Sequence, residues 1–154
     1  MKAMVSLLEM EYIKGEELYD YLVASGRFDE GQARKYFKQM LSAVEHMHSK
    51  GKGHCDYKPE NIMVDHSKSN IKVIDYGLVM NTEVGHHEVL PFVGTPGYQC
   101  PEIVYQTNWF PAHADLFAIG VILFIMVAGH PPFSVADPRG DNLYKLLSSS
   151  KEKN

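Results

Sequence analysis

Asp56, Lys58 and Asn61 fall within six consecutive residues, and Asp75 follows fourteen positions after Asn61. Moving a phosphoryl group takes a carboxylate near the attacking hydroxyl, oxygen ligands for magnesium between the phosphates, and a cation near the transferring group. Asp56 can handle the hydroxyl, Asn61 and Asp75 supply hard oxygen donors, and Lys58 supplies the positive charge. Residue types and spacing together point to phosphoryl transfer.

These side chains need a rigid support. Pro59 fixes one backbone angle and lacks an N–H, so residues 56–61 are expected as a loop rather than regular helix or central strand. Ile62-Met63-Val64 and Ile71-Lys72-Val73-Ile74 read as two short strands around the polar turn 65–70. In such a hairpin Asn61 enters the first strand and Asp75 leaves the second. Their ends lie side by side, so the spacing predicts a magnesium site.

Helices are expected around this hairpin. Residues 16–24 form a short amphipathic stretch ended by Ser25-Gly26. Asp29 is an expected N-cap for a helix running to Lys50, with Ala33, Phe37, Met40, Leu41, Val44 and Met47 on its inner face. Gly51-Lys52-Gly53 stops it ahead of the loop. Residues 78–93 have weak periodicity and read as a mobile loop. From His113 to Gly129 nearly every position is apolar, which predicts a helix covered on all sides. Another helix is expected from Asp141 to Leu147. The predicted fold class is mainly α with a small β-hairpin.

The segment His54-Cys55-Asp56-Tyr57-Lys58-Pro59-Glu60-Asn61 resembles the catalytic loop of eukaryotic protein kinases, H-R-D-x-K-P-x-N, and Asp75-Tyr76-Gly77 resembles D-F-G. Further matches follow in the family's order. Gly94-Thr95-Pro96-Gly97-Tyr98-Gln99-Cys100-Pro101-Glu102 resembles G-T-x-x-Y-x-A-P-E, and Ala114-Asp115-Leu116-Phe117-Ala118-Ile119-Gly120 resembles the start of the central helix, D-x-W-S-x-G. Upstream, residues 10–18 look like the hinge between the two kinase lobes. The resemblance implies a protein-kinase-like C-terminal lobe of the α+β class, with the hinge at about 10–16, the lobe at about 17–147 and a polar tail at 148–154.

Carried over by position, the resemblance makes Asp56 the base that orients a substrate hydroxyl and Lys58 the cation that steadies the phosphate. Asn61 and Asp75 would hold Mg2+. The backbone at Glu11 and Ile13 would meet the adenine of ATP, Glu17 its ribose, and Met63 would floor the adenine pocket. Lys58 and the Gly94-Thr95 pair resemble serine/threonine kinases, with Thr95 in the substrate-facing loop. The implied partners are a protein substrate carrying Ser or Thr and a regulatory protein.

The chain has 154 residues, 45% hydrophobic and 22% charged, the composition of one globular domain. A net charge of −4, from 15 basic and 19 acidic residues, gives no pull toward nucleic acid or an anionic membrane. The longest apolar run, residues 116–128, falls short of the roughly 18 residues of a membrane span. Two cysteines at no framework spacing, and no secretory signal pattern, lead to an expected intracellular, cytoplasmic setting. The eight histidines are not read as a zinc site, because hard-cation chemistry prefers oxygen.

Complete kinase domains resemble a two-lobed body of roughly 250 residues. No G-x-G-x-x-G occurs in this chain, and the resemblance leaves no place for the N-terminal lobe or the final helices. The expectation is therefore a truncated kinase lobe that is inactive alone. The alternative is a noncatalytic, pseudokinase-like binding or decoy module, and completeness of the nucleotide site separates the two. Cys55 stands where the family has arginine, which removes a phosphate-pairing guanidinium. Glu102 has no matching arginine partner, since the chain's arginines are Arg27, Arg34 and Arg139. It is therefore expected to be exposed or differently paired.

Overall fold

The computed structural model describes residue 7 and residues 9–67, 69–82 and 93–149. Among them the chain is mainly helical with two small antiparallel sheets. Strand β1, Glu16–Glu17, runs directly into helix α1, Leu18–Ser25. Residues 16 and 17 were expected in the helix. They are extended instead because Glu16 pairs with Val64 and Glu17 with Met63. Gly15 permits this pairing, since a Cβ there would overlap the Val64 carbonyl oxygen. Gly26 ends α1 at φ 74°, and its N–H donates to Leu22 O at 2.8 Å.

Helix α2 spans Glu30–Ser49, and Asp29 caps it by accepting from the Gln32 N–H at 2.8 Å. Its buried face is Ala33, Tyr36, Met40 and Val44. Leu41, expected inside, is exposed, and Tyr36 takes its place because its ring meets Phe28 and Tyr21. Strand β2, Lys52–Gly53, pairs with β5, Met80–Asn81, so part of the expected 78–93 loop is held. Residues 83–92 of that loop lie outside the described residues.

The expected hairpin forms from β3, Ile62–Asp65, and β4, Asn70–Val73, with Ile62 opposite Val73 and Asp65 opposite Asn70. The sheet order is β1-β3-β4. A single 3-10 turn, Pro59–Asn61, leads into β3. Short helix α3, Pro101–Val104, precedes α4, Pro111–Ala128. Leu18, Met40, Ile62, Ile119, Ile122 and Met126 form the main core, where α4 packs on α2. Burying such aliphatic side chains contributes roughly 1.5–3 kcal/mol each.

Helix α4 begins two residues before the expected start, because Pro111 suits a first helical turn. It is long and apolar enough to cross a membrane, with mean hydropathy 2.0, yet it carries buried Asp115 beneath a polar loop. The expectation that it is covered on all sides fails. Leu116, Phe124 and Val127 are exposed, because α2 and the segment around Phe133 cover only part of its circumference. Helix α5, Asn142–Ser149, starts where Asp141 accepts from the Leu143 and Tyr144 amides. Ser148 and Ser149 thus belong to this helix and not to the expected polar tail.

Candidate active site

The 54–61 loop is seated on α4 through one buried carboxylate. Asp115 Oδ2 accepts from the His54 N–H at 2.9 Å, and Oδ1 accepts from the Cys55 N–H at 2.8 Å. Cys55 holds φ at 65°, a left-handed conformation costing on the order of 1–3 kcal/mol for a residue with a side chain. Two consecutive amides bound to one carboxylate over-determine that turn. His54 is fully buried, with its ring centroid 4.6 Å from Tyr57 and 5.4 Å from Tyr76. It packs as a support beneath the loop.

The turn presents Asp56 to a cluster of polar side chains. Thr95 Oγ1 donates to Asp56 Oδ1 at 2.7 Å, and Lys58 Nζ donates to the same Thr95 oxygen at 3.1 Å. Lys58 Nζ also lies 3.3 Å from Asp56 Oδ2. Asn61 Nδ2 donates to the Asp56 carbonyl at 2.9 Å and to Asp56 Oδ2 at 3.1 Å. Asp56, Lys58, Asn61 and Thr95 are therefore one hydrogen-bonded group. A carboxylate holding a hydroxyl proton, with an ammonium beside the oxygen, is the arrangement that hydroxyl nucleophiles require.

Asp75 comes to the edge of this group through the backbone. The Ile74 N–H donates to Asn61 O at 2.9 Å, which extends the β3–β4 hairpin by one bond and puts Asp75 next to the Asn61 end. Asp75 has φ 61°, its Oδ1 accepts from the Gly77 N–H at 3.2 Å, and its side chain is exposed. Because Asn61 turns its amide nitrogen to Asp56, its carbonyl oxygen faces away from that bond. One amide oxygen and one exposed carboxylate on neighbouring strand ends fit a hard cation such as magnesium.

The hinge-side residues meet the same hairpin. Glu17 lies directly opposite Met63 in the β1–β3 ladder, and the Glu11 carboxylate pairs with Lys72, which stands opposite Met63 on β4. Ile13 and Met63 are half-buried.

Asp115 was not singled out for a role from sequence. The signal was present: it is the one charged residue in the apolar stretch 114–128, and a lone acid there needs partners. Cys55 fills the arginine position by packing with Cys100, Ile103, Trp109 and Ala114. Burial, then the charge of Asp115, pushes the Cys55 thiol up to about 12, and burial pushes Cys100 up to about 11. Both are protonated, structural thiols at neutral pH. Glu102 is exposed, as expected for a carboxylate without its arginine.

The protein kinase domain family matches residues 2–151. Among curated proteins, the chain is 39% identical over 142 residues to CBL-interacting serine/threonine-protein kinase 24 of Arabidopsis thaliana, covering 92% of this chain and 31% of that protein. It is 43% identical over 128 residues to CBL-interacting serine/threonine-protein kinase 8 of the same plant, covering 83% and 28%. CBL-interacting protein kinase 32 of Oryza sativa subsp. japonica is 41% identical over 144 residues, covering 92% and 32%. The chain spans about a third of the length of these relatives.

Proposed function

The chain belongs to the eukaryotic serine/threonine protein kinase family, and from that premise we propose that it carries the hinge and C-terminal lobe of an ATP-dependent kinase that phosphorylates protein Ser or Thr hydroxyls. The observation that carries this reading is the Thr95 hydroxyl donating to Asp56 with Lys58 beside it. A substrate hydroxyl brought to the same carboxylate would be oriented for attack, and Asp56 would accept its proton.

Lys58 places positive charge where the phosphoryl oxygens gather. Asn61 and Asp75 would hold magnesium, which when bound offsets the negative charge of the phosphates. The backbone at Glu11 and Ile13 would read the adenine edge, Met63 would support its face and Glu17 would meet the ribose. Thr95 sits in the loop that faces the protein substrate. The relatives' names record interaction with CBL, and we extend to this chain a regulatory protein partner acting in the cytoplasm.

By itself the 154-residue polypeptide is read as catalytically silent, because its sequence holds no G-x-G-x-x-G loop to cover the phosphates. In that state it would act as a binding module presenting the substrate-facing loop. The test is phosphotransfer from radiolabelled ATP to a Ser/Thr protein by this chain alone and by a chimaera in which it replaces residues of a curated relative. The chimaera should be active and lose about 100-fold or more with Asp56→Ala, while the chain alone stays silent. An active chimaera indifferent to Asp56→Ala would overturn the reading.

A further inference from the structure

We propose that Gln99 is a positioning residue for Thr95 and Asp56, holding the segment ahead of Thr95 against the 54–56 turn. The proposal rests on the reading of Asp56 as the group that handles the substrate hydroxyl. The motif G-T-x-x-Y-x-A-P-E leaves position 99 unspecified, so the resemblance assigns this residue no role. Gln99 is 8% exposed, and a primary amide buried that far costs free energy unless its N–H groups find acceptors. Its Nε2 donates to Val93 O at 3.0 Å and stands 3.5 Å from Gly94 O. One side chain that follows Thr95 thus holds the two consecutive carbonyls that precede it.

The residues in between show what this tie controls. Thr95-Pro96-Gly97-Tyr98 is a tight turn: the Tyr98 N–H donates to Thr95 O at 3.1 Å, Pro96 fixes its own φ, and Gly97 supplies φ 89°. That turn is set by its own residues. Gly94 is not, because glycine has the widest backbone freedom, and here it takes φ 84°. A Cβ on Gly94 would lie 2.8 Å from Cys55 O, so the segment touches the 54–56 turn at this residue. The Gln99 amide holds the most pliable residue of the segment at that contact.

Gln99 has a firm footing from which to do so. Cys100, next in the chain, is buried in a cluster with Cys55, Ile103 and Trp109, and Pro101 opens α3. From this base the side chain reaches back across the turn and closes residues 93–99 into a ring. The cavity bordered by Cys55, Asp56, Gly94, Thr95 and Gln99 measures about 10 Å³, room for about one water, so the ring seats closely on the loop. Thr95 follows Gly94 directly, and its Oγ1 stays 2.7 Å from Asp56 Oδ1. Losing the amide removes the donor from Val93 O, frees Gly94, and lets the Thr95 hydroxyl drift from Asp56.

NMR of the 154-residue chain reads this without ATP or phosphotransfer, so failure of the proposal and failure of the kinase reading are distinguishable. In Gln99→Met, which keeps the length and loses both donors, protection of the Tyr98 amide should fall about tenfold relative to Ile122 in α4, and Thr95 should lose its single χ1 rotamer. Gln99→Glu tests donation itself: a carboxylate faces the carbonyls with no proton, whereas the neutral acid donates one. Its Tyr98 protection, corrected for intrinsic exchange, should recover several-fold from pH 8 to pH 5, while the Met variant stays unchanged. A recovery shared by Met, loosening shared by Ile122, or a Thr95 rotamer unmoved in Met would overturn the proposal. Should neither variant fold, the wild-type side-chain amide decides: Gln99 protons exchanging at least tenfold more slowly than free glutamine support the tie, and faster exchange overturns it.

Discussion

Thr95 and Asp56 share a hydrogen bond of 2.7 Å although 39 residues separate them in the chain. The bond ties the segment carrying Thr95 to the 54–61 loop, and Lys58 reinforces it from 3.1 Å. Thr95→Val keeps the shape and removes the hydroxyl. Unfolding in urea should show a loss of about 1 kcal/mol, with Thr95→Ser close to wild type. Equal losses from Val and Ser would mean that packing, and not the hydroxyl, makes the contact.

Asp115→Ala should cost considerably more. It strands the His54 and Cys55 amides in a buried site and releases a strained turn, for an expected loss of about 2–5 kcal/mol in urea unfolding. A change below about 0.5 kcal/mol, the size of a surface substitution, would contradict the anchoring role.

Much of this arrangement was legible in residue order. The hairpin followed from two β-branched runs around a polar turn, and its ends correctly brought Asp75 alongside Asn61. The Asp56–Lys58–Asn61 group followed from spacing around Pro59. What periodicity missed was tertiary in origin. Glu16 and Glu17 are extended because β3 offers a free edge, although they continue the pattern of α1. Tyr36 is buried and Leu41 exposed because aromatic neighbours lie on one side of α2. The role of Asp115 depends on a loop 60 residues away, which no local pattern encodes.

Alkaline pH should unfold the chain through its thiols. Cys55 is pushed from 9.0 up to about 12 and Cys100 up to about 11, both chiefly by burial. A raised value favours the protonated native form, so this contribution is complete below pH 9, where neither state ionises. Above pH 9 the unfolded chain loses its thiol protons first, and stability declines until the native thiols ionise near 11 and 12. The slope should be on the order of 1 kcal/mol per pH unit for each thiol. Comparing urea midpoints of wild type and a Cys55→Ala, Cys100→Ala double variant isolates the thiols from Tyr57 and Tyr98, which burial also raises. Parallel declines in both proteins would exclude the thiols as the cause.

The most direct test asks whether Asp56, Asn61 and Asp75 face one cation site. Paramagnetic broadening by Mn2+ added with ATP, read residue by residue in the NMR spectrum of the 154-residue chain, reports which groups surround the bound ion. Broadening should centre on Asn61 and Asp75, extend to Asp56 and Lys58, and vanish with Asp75→Asn. Broadening centred on other acidic residues, or unchanged by Asp75→Asn, would contradict a shared phosphoryl-transfer site.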